Sequence, residues 1–321
     1  MRGFGSPDVL RYEDVVDPRP ADDELLVRVR ATTVTAGDCE LRSLGLPLST
    51  RLPLWLYGTL AKRNGWILGQ ELAGEVTAVG ADVTDYAVGD RVFAPTLFRF
   101  GSYAEYVSLP ASDPIVTIPV GLSVEEAATI PTGGANALHA LREGEVSAGD
   151  HVLVNGAGGS IGTYAVQLAA ARGAEVTVVD SAEKLVLLGE LGADRALDYR
   201  ETDFTRTGDR YDVVFDIVGS APFSRALGTL RSNGRYVIGN PTVASTLRAR
   251  WATASSDRRV VTSLADYETT DLARLAGRVA DEEIRAVVDR RYPLSDVAEA
   301  HRYVESGRKC GHVVVTVGRD D

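Results

Sequence analysis

The stretch "NGAGGSIG" at residues 155–162 is the part of the sequence whose residue types and spacing point most directly to chemistry. It follows the apolar run "HVLV" and precedes "TYAVQLAAARG", so it is predicted to connect a strand to a helix. A helix that begins there offers unpaired N–H groups and a partial positive charge to an anion. Small residues let the backbone approach a pyrophosphate and let the helix pack on the strand. The residues predicted to contact a dinucleotide are Ala157, Gly158, Gly159, Ser160, Ile161 and Gly162, with alanine where the first glycine is usual.

A second predicted strand, "EVTVV", ends in Asp180, close to the spacing of about 20 residues at which a ribose-binding acid follows such a turn. A carboxylate there accepts hydrogen bonds from the adenosine ribose and repels a 2′-phosphate, which favours NAD(H). Ser181 and Lys184 follow, and because both side chains can bind a phosphate, NADP(H) stays open. A purely structural interpretation also stands: a tight turn at 155–162, with Asp180 or Ser181 capping the next helix.

The rest of the chain shows two kinds of sequence pattern. Residues 1–122 carry short valine-containing runs between turn signals, which predicts a β-rich domain. From Ser123, which has the spacing of a capping box with Glu126, strand-like and helix-like runs alternate. We predict an α/β protein in which a doubly wound parallel sheet over 123–264 is inserted into a β-rich domain built from 1–122 and 265–321. In that last segment "DLARLAGRVADEE" and "PLSDVAEAHRYVES" are predicted helices, and "GHVVVTVG" is a predicted strand.

Composition narrows the class of protein. The net charge of −11 over 321 residues argues against nucleic acid or an anionic membrane as a partner, because both would be repelled. The two cysteines, Cys39 and Cys310, cannot form a disulfide framework. The first residues lack the apolar segment of a signal peptide, and no run of about 18 apolar residues occurs. These features predict a cytoplasmic protein without a membrane span.

A family resemblance extends over nearly the whole chain. It rests on "ATTVTAGDCELR", "ILGQELAGEVTAVG", "YAVGDRVFA", "GSYAEYV", "VNGAGGSIGTYAVQLA", "YDVVFDIVG", "NGRYVIGN" and "RYPLSDVAEAHRYVESG", in this order. Together these motifs resemble the medium-chain dehydrogenase/reductase superfamily, in its zinc-independent quinone oxidoreductase branch. The resemblance implies a GroES-like β domain made of both chain ends, with a Rossmann domain inserted between them. It also implies a homodimer joined through the edge strand of the nucleotide domain, here near "RRVVTSL" at 258–264.

The zinc ligands of the metal-dependent relatives are replaced in this sequence. Their positions fall on Thr35, Gln70 and the vicinity of Gly133, all poor zinc ligands, and only Glu71 is retained. Cys39 lies close to the first position and is interpreted as a small core residue. The cysteine-rich loop of a structural zinc is absent, and the four histidines, His139, His151, His301 and His312, lack metal-ligand spacing. No metal site is therefore predicted.

Without a metal, oxidation of a plain alcohol is disfavoured, whereas hydride transfer to an activated acceptor remains feasible. The expected reaction is NAD(P)H-dependent reduction of a quinone or an α,β-unsaturated carbonyl (an enone). Candidate catalytic residues are Thr35, whose hydroxyl can donate to a carbonyl oxygen, Asp38 beside the expected cleft, and Tyr57 as a proton donor. Asp38 has an alternative role as an acceptor of backbone N–H groups, and Tyr57 has one in core or lid packing.

Further cofactor contacts follow from motif position within the resemblance. Tyr199 is expected near the adenine, whereas Val218, Gly239 and Asn240 are expected at the nicotinamide or its ribose. Val218 is also interpretable as a core residue, and Gly239 as a turn. The segment 241–258 is interpreted as a mobile flap. Two alternative functions remain: a non-catalytic NAD(P)-binding protein, and a zinc-type alcohol dehydrogenase with atypical ligands.

Overall fold

A computed structural model describes residues 1, 3–45, 66–96, 99–241, 243–262 and 265–318. Its contacts divide the chain into two units. One comprises Met1–Thr132 with Tyr267–Asp321, and the other is Gly133–Asp266. The candidate proton donor Tyr57 lies outside the described residues.

The regular elements are numbered in chain order. The strands are β1 Glu24–Val34, β2 Glu71–Val79, β3 Arg91–Pro95, β4 Tyr106–Pro110, β5 Val116–Thr117, β6 His151–Asn155, β7 Glu175–Asp180, β8 Arg195–Asp198, β9 Tyr211–Asp216, β10 Leu230–Ile238, β11 Arg259–Val261, β12 Val288–Pro293 and β13 His312–Thr316. The α-helices are α1 Ala36–Ser43, α2 Val124–Ala127, α3 Asn136–Glu143, α4 Ser160–Ala170, α5 Ala182–Glu190, α6 Phe223–Gly228, α7 Val243–Ser255, α8 Thr269–Ala280 and α9 Val297–Glu305.

The first unit is built on a mixed sheet with the order β12-β13-β1-β2-β3-β5. Strand β1 is long enough to pair along its first part with β4 and along its last part with β13, both antiparallel. Its first residues alternate between buried and partly exposed, as a half-buried strand requires, and Leu25, Val27 and Val29 lie in the core. This sheet is the predicted β-rich domain made of both chain ends.

The second unit contains a parallel sheet with the order β11-β10-β9-β6-β7-β8. The strand order reverses between β6 and β9, because β7 and β8 continue to one side of β6 while β9 to β11 continue to the other. Such a reversal opens a crevice outside the carboxyl ends of the two central strands, where ligands bind. The predicted α/β class, with a Rossmann sheet inserted into a GroES-like β-rich domain, is confirmed.

Local signals placed several helices correctly. Ser123 and Glu126 form the predicted capping box at the start of α2. Helix α9 and strand β13 lie within the segments predicted for them, whereas α8 overlaps its predicted segment but begins two residues earlier, at Thr269. The segment interpreted as a mobile flap contains helix α7. Within the part of the chain that is described, no helix combines the length and the apolar character that crossing a membrane requires.

Candidate functional site

The glycine turn lies between β6 and α4, at the carboxyl end of the central strand of the parallel sheet. Gly159 occupies the N-cap position of α4 and contributes no side-chain cap. The first N–H groups of a helix have no partner within the helix, so this end of α4 is a natural site for an anion. Ser160, Ile161 and Gly162 form the first turn of α4, where a pyrophosphate would meet these donors.

Two glycines of the turn have no room for a side chain. A Cβ on Gly162 would lie 2.4 Å from the carbonyl oxygen of Ala157 and 2.5 Å from that of Gly156. A Cβ on Gly158 would lie 2.4 Å from Cδ of Lys184 and 3.0 Å from Oδ2 of Asp180. Gly162 therefore allows α4 to pack directly on the turn, and Gly158 allows the Asp180 side chain to approach the backbone.

Asp180 is the last residue of β7, and its carboxylate faces the turn. Oδ2 accepts a hydrogen bond from Gly158 N at 2.7 Å, and Oδ1 accepts one from Ser181 N at 2.8 Å. Nζ of Lys184 lies 3.0 Å from Oδ1, and both side chains are about nine-tenths buried. A carboxylate offers about four acceptor sites, so one remains for a ribose hydroxyl after these three donors.

The other predicted cofactor residues lie at neighbouring strand ends of the same unit. Tyr199 follows β8, is 56% exposed, and donates its backbone N–H to the Asp180 carbonyl at 3.2 Å. Val218 follows β9 and is 60% exposed, with Cγ2 only 2.5 Å from where a Gly156 Cβ would stand. Gly239 and Asn240 follow β10. Asn240 and Val218 both line a cavity of about 410 Å³. The glycine turn and the residues predicted after β7 to β10 thus lie along the carboxyl edge of one sheet.

Three buried residues at this edge were not among those predicted. Asp216, the last residue of β9, accepts hydrogen bonds from Asn155 Nδ2 and from Gly219 N, both at 2.8 Å, and from the Tyr236 hydroxyl. The motif "YDVVFDIVG", one of those that carry the family resemblance, predicts a cofactor contact at Val218 but none at Asp216. A signal for Asp216 was available, because an acid that ends an apolar parallel strand is buried and needs donors.

In the β-rich unit, the candidate residues Thr35 and Asp38 form the capping box of α1. Thr35 Oγ1 donates to Asp38 Oδ2 at 2.7 Å and accepts from Asp38 N at 3.0 Å and from Gln70 Nε2 at 3.1 Å. The structure thus brings together Thr35 and Gln70, two positions where the family resemblance implies zinc ligands in the metal-dependent relatives. Both candidates are buried and Gln70 is partly exposed, so solvent reaches the amide more readily than the hydroxyl.

Glu71 and Asp38 are fully buried carboxyl groups in this region, and burial raises the pKa of both. The pKa of Glu71 is raised to about 7, although it accepts hydrogen bonds from Thr33 Oγ1 and, at 2.7 Å, from Thr132 N. These bonds connect β1, β2 and the segment that follows α2. Glu71 therefore has a structural role in this unit, and its charge is removed by mild acid.

Cys39 lies in the core, as predicted, with Sγ 3.3 Å from Nδ1 of His301. Burial raises the pKa of the thiol to about 12, which disfavours the thiolate that a metal would bind. Burial also lowers the pKa of His301 to about 3, and Arg42 Nε donates to the same Nδ1 at 3.3 Å. Across the described residues, histidine, cysteine and carboxylate side chains form no group of three or more suited to holding a metal ion.

Comparison with known proteins shows the family to which the chain belongs. Residues 21–120 match the alcohol dehydrogenase GroES-like domain, and residues 191–315 match the zinc-binding dehydrogenase family. A quinone oxidoreductase of Pseudomonas aeruginosa is 31% identical over 329 residues, which cover 97% of each chain. The chain belongs to the medium-chain dehydrogenase/reductase superfamily. As a member of this superfamily it is an NAD(P)H-dependent oxidoreductase.

Two further relatives bear on its chemistry. The chloroplastic NADPH-dependent alkenal/one oxidoreductase of Arabidopsis thaliana is 32% identical over 326 residues, covering 97% of this chain and 77% of the relative. The solved structure of the quinone oxidoreductase from Coxiella burnetii superposes with a TM-score of 0.89 at 29% identity, covering 99% of this chain and 98% of the other. The superfamily member described here therefore shares its fold along the whole chain with a quinone oxidoreductase.

Proposed function

We propose that this superfamily member reduces quinones or α,β-unsaturated carbonyl compounds with NADH or NADPH, and that it does so without zinc. The observation that carries the proposal is the pairing of Thr35 with Gln70 at two of the positions where zinc-dependent relatives have ligands. A hydroxyl bonded to an amide is a poor ligand set for Zn²⁺, whereas the amide, which carries two N–H groups, is a good donor to a substrate oxygen. The Pseudomonas relative, a quinone oxidoreductase, and the Arabidopsis relative, an alkenal/one oxidoreductase, support the same class of substrate.

The dinucleotide would be held by the parallel-sheet unit. The first turn of α4 offers N–H groups to the pyrophosphate, and the close approach at Gly158 and Gly162 leaves the backbone accessible. Asp180 would accept from the adenosine ribose, with Tyr199 beside the adenine. Ser181 and Lys184 are the residues that would meet a 2′-phosphate, but both are buried and Lys184 already pairs with Asp180. We therefore propose a preference for NAD(H), and include Val218, Gly239 and Asn240 as contacts of the nicotinamide half.

When bound, the reduced nicotinamide supplies a hydride to the electrophilic carbon of the quinone or enone. The chain's own residues then have to stabilise the negative charge that develops on the substrate oxygen. Thr35 has its hydroxyl fully used by Asp38 and Gln70 in the structure. We propose that Thr35 and Asp38 act together by fixing the Gln70 amide as the donor nearest to solvent. The proton is supplied by solvent or by Tyr57.

The proposal is tested by mixing the purified protein with NADH or NADPH and a panel of quinones and enones while following the absorbance of the reduced cofactor. We expect turnover with at least one acceptor, no oxidation of simple primary alcohols by NAD⁺ or NADP⁺, and substoichiometric zinc by elemental analysis. Cofactor binding without turnover across the panel would favour a non-catalytic protein. Stoichiometric zinc together with alcohol oxidation would favour the zinc-type dehydrogenase.

We also propose a homodimer joined through β11, which is the edge strand of the parallel sheet. An edge strand offers backbone groups that a second copy of the same strand can pair with. Sedimentation at micromolar concentration tests this directly. A species of monomer mass at all concentrations would contradict it.

A further inference from the structure

The buried carboxylate of Asp216 connects β9 to β6, the two strands between which the strand order of the parallel sheet reverses. It ends β9, and through Oδ1 it accepts from the Nδ2 group of Asn155, the last residue of β6. Strands β6 and β9 are the neighbours between which the order reverses. One side chain therefore connects the ends of the two strands that border the crevice.

The same carboxylate also fixes the loop that follows β9. Oδ1 accepts from Gly219 N at 2.8 Å, which closes a tight turn over residues 217–219. The backbone contributes in parallel, since Ile217 N donates to the Asn155 carbonyl at 3.1 Å. The consequence is the position of Val218, whose side chain stands against Gly156 at the start of the glycine turn.

The third donor reaches Asp216 from the next strand. The Tyr236 hydroxyl on β10 donates to Oδ2, and the Asp216 carbonyl accepts from Gly239 N at 2.8 Å, just beyond the end of β10. Asp216, Asn155 and Tyr236 are 1%, 6% and 2% exposed. Three strand ends are thus held in register by a buried network in which both carboxylate oxygens are used, and such networks fix one conformation.

From this geometry we propose that Asp216 is a positioning residue for the nicotinamide half of the bound dinucleotide. The inference rests on the proposed NAD(P)H site and deepens it. The adenine half belongs on the opposite side, because the ribose-binding acid Asp180 ends β7 and Tyr199 follows β8. Loss of the Asp216 network should therefore loosen Val218 and the loop after β10 while leaving the adenine side in place.

The experiment compares two ligands on full-length variants. The first ligand is whichever of NADH or NADPH the wild type binds more tightly, titrated by its fluorescence, and the second is AMP, titrated by calorimetry. For Asp216→Ala we expect the Kd of the dinucleotide to rise about tenfold or more, and that of AMP to change less than about threefold. Asp216→Asn should restore most of the affinity, because its oxygen can still accept from Asn155 and Gly219 while its amide faces the Tyr236 hydroxyl.

A matched control lies on the same strand at its other end. Asp212 accepts from His151 N at 2.8 Å and from Arg231 at 2.6 Å, so Asp212→Ala also removes a carboxylate that binds a backbone N–H. It is expected to lower the melting temperature but to leave both Kd values unchanged. Asn155→Ala is a second variant, to be used if Asp216→Ala does not fold, because it removes only one hydrogen bond of the network. It should raise the Kd of the dinucleotide about threefold or more and leave the Kd of AMP unchanged.

The outcomes separate the two proposals. A wild type that binds neither NADH nor NADPH overturns the proposed function and this inference together. A wild type that binds, with folded Asp216→Ala and Asn155→Ala variants of unchanged dinucleotide affinity, overturns the inference alone. Equal losses for AMP and the dinucleotide, or the same selective loss in Asp212→Ala, would also overturn it, because the role would then be general stability.

Discussion

The glycine turn of the parallel-sheet unit and the Thr35–Gln70 region of the β-rich unit differ in the groups that form them. In the turn, glycines replace side chains and bring the backbone close to the start of α4, where a ligand would meet main-chain N–H groups. Around Thr35, by contrast, side chains form hydrogen bonds within the protein. The Thr35 hydroxyl takes part in three hydrogen bonds, and the carboxylate of Glu71, the residue after Gln70, accepts two. A binding site formed by main-chain groups can be predicted from a short motif, whereas a site formed by side chains depends on residues from distant segments of the chain.

This difference predicts which substitutions affect binding and which affect stability. A change in the turn should act on dinucleotide affinity, because it alters the space beside the backbone. A change in the Thr35–Gln70 region should act on stability and turnover, because it breaks bonds within the protein.

The largest effect is expected for Gly162→Ala in the turn. The new Cβ would meet two carbonyl oxygens within 2.5 Å, so α4 must move away from the turn. We expect the Kd of the dinucleotide to rise about 100-fold, measured by fluorescence titration, with a lower melting temperature. Gly189→Ala is the control, because that helical glycine faces open space; it should leave the Kd unchanged and stabilise α5 slightly. A folded Gly162→Ala protein with normal affinity would refute the close-packing argument.

The second effect is on the pH dependence of stability in the β-rich unit. Burial raises the pKa of Glu71 from 4.5 to about 7, so the folded state holds a proton that the unfolded state releases between these values. The free energy of unfolding should therefore fall as pH rises through this window, by about 3 kcal/mol from this one group. Glu71→Gln, which imitates the protonated acid, should flatten the curve and be more stable than wild type above pH 7. Parallel melting curves for the two proteins would contradict this.

Cofactor preference provides the third test, at the acid beside the turn. Asp180→Ser removes the charge that repels a 2′-phosphate and releases Lys184 to bind one. The ratio of the Kd values for NADH and NADPH should shift toward NADPH about tenfold. Asp194→Ser serves as control, because Asp194 accepts from Val176 N at the other end of β7 and should leave the ratio alone. A wild type that already prefers NADPH would show that Asp180 does not set the choice.

The smallest effect is expected for Thr35→Val. It removes the N-cap of α1 and the acceptor for Gln70, at a cost of about 1 kcal/mol in stability. Dinucleotide affinity should stay within about twofold, while kcat with a quinone should fall about threefold as Gln70 loses its fixed orientation. Thr35→Ser should restore both stability and kcat, since it keeps the hydroxyl. A loss of dinucleotide binding in Thr35→Val would remove the distinction between the two regions.

Local patterns predicted much of the fold. The capping box at Ser123, the glycine turn and the alternating runs of the inserted domain are each encoded within a few residues, and the structure has them. The segment interpreted as a mobile flap contains helix α7, whose weakly amphipathic residues gave no clear local signal for a helix.

In the candidate site, too, some features could be predicted from local sequence and others could not. The sequence by itself determined the glycine turn and the acid that ends β7, because the strand, turn and helix are each encoded by residues that follow one another in the chain. Only the tertiary structure decided that Asp216 joins Asn155 and Tyr236, and that Thr35 is bonded to Gln70. Those partners are far apart in the chain, and they meet because strand order and register, set by burial of the apolar strands, bring their ends to one edge.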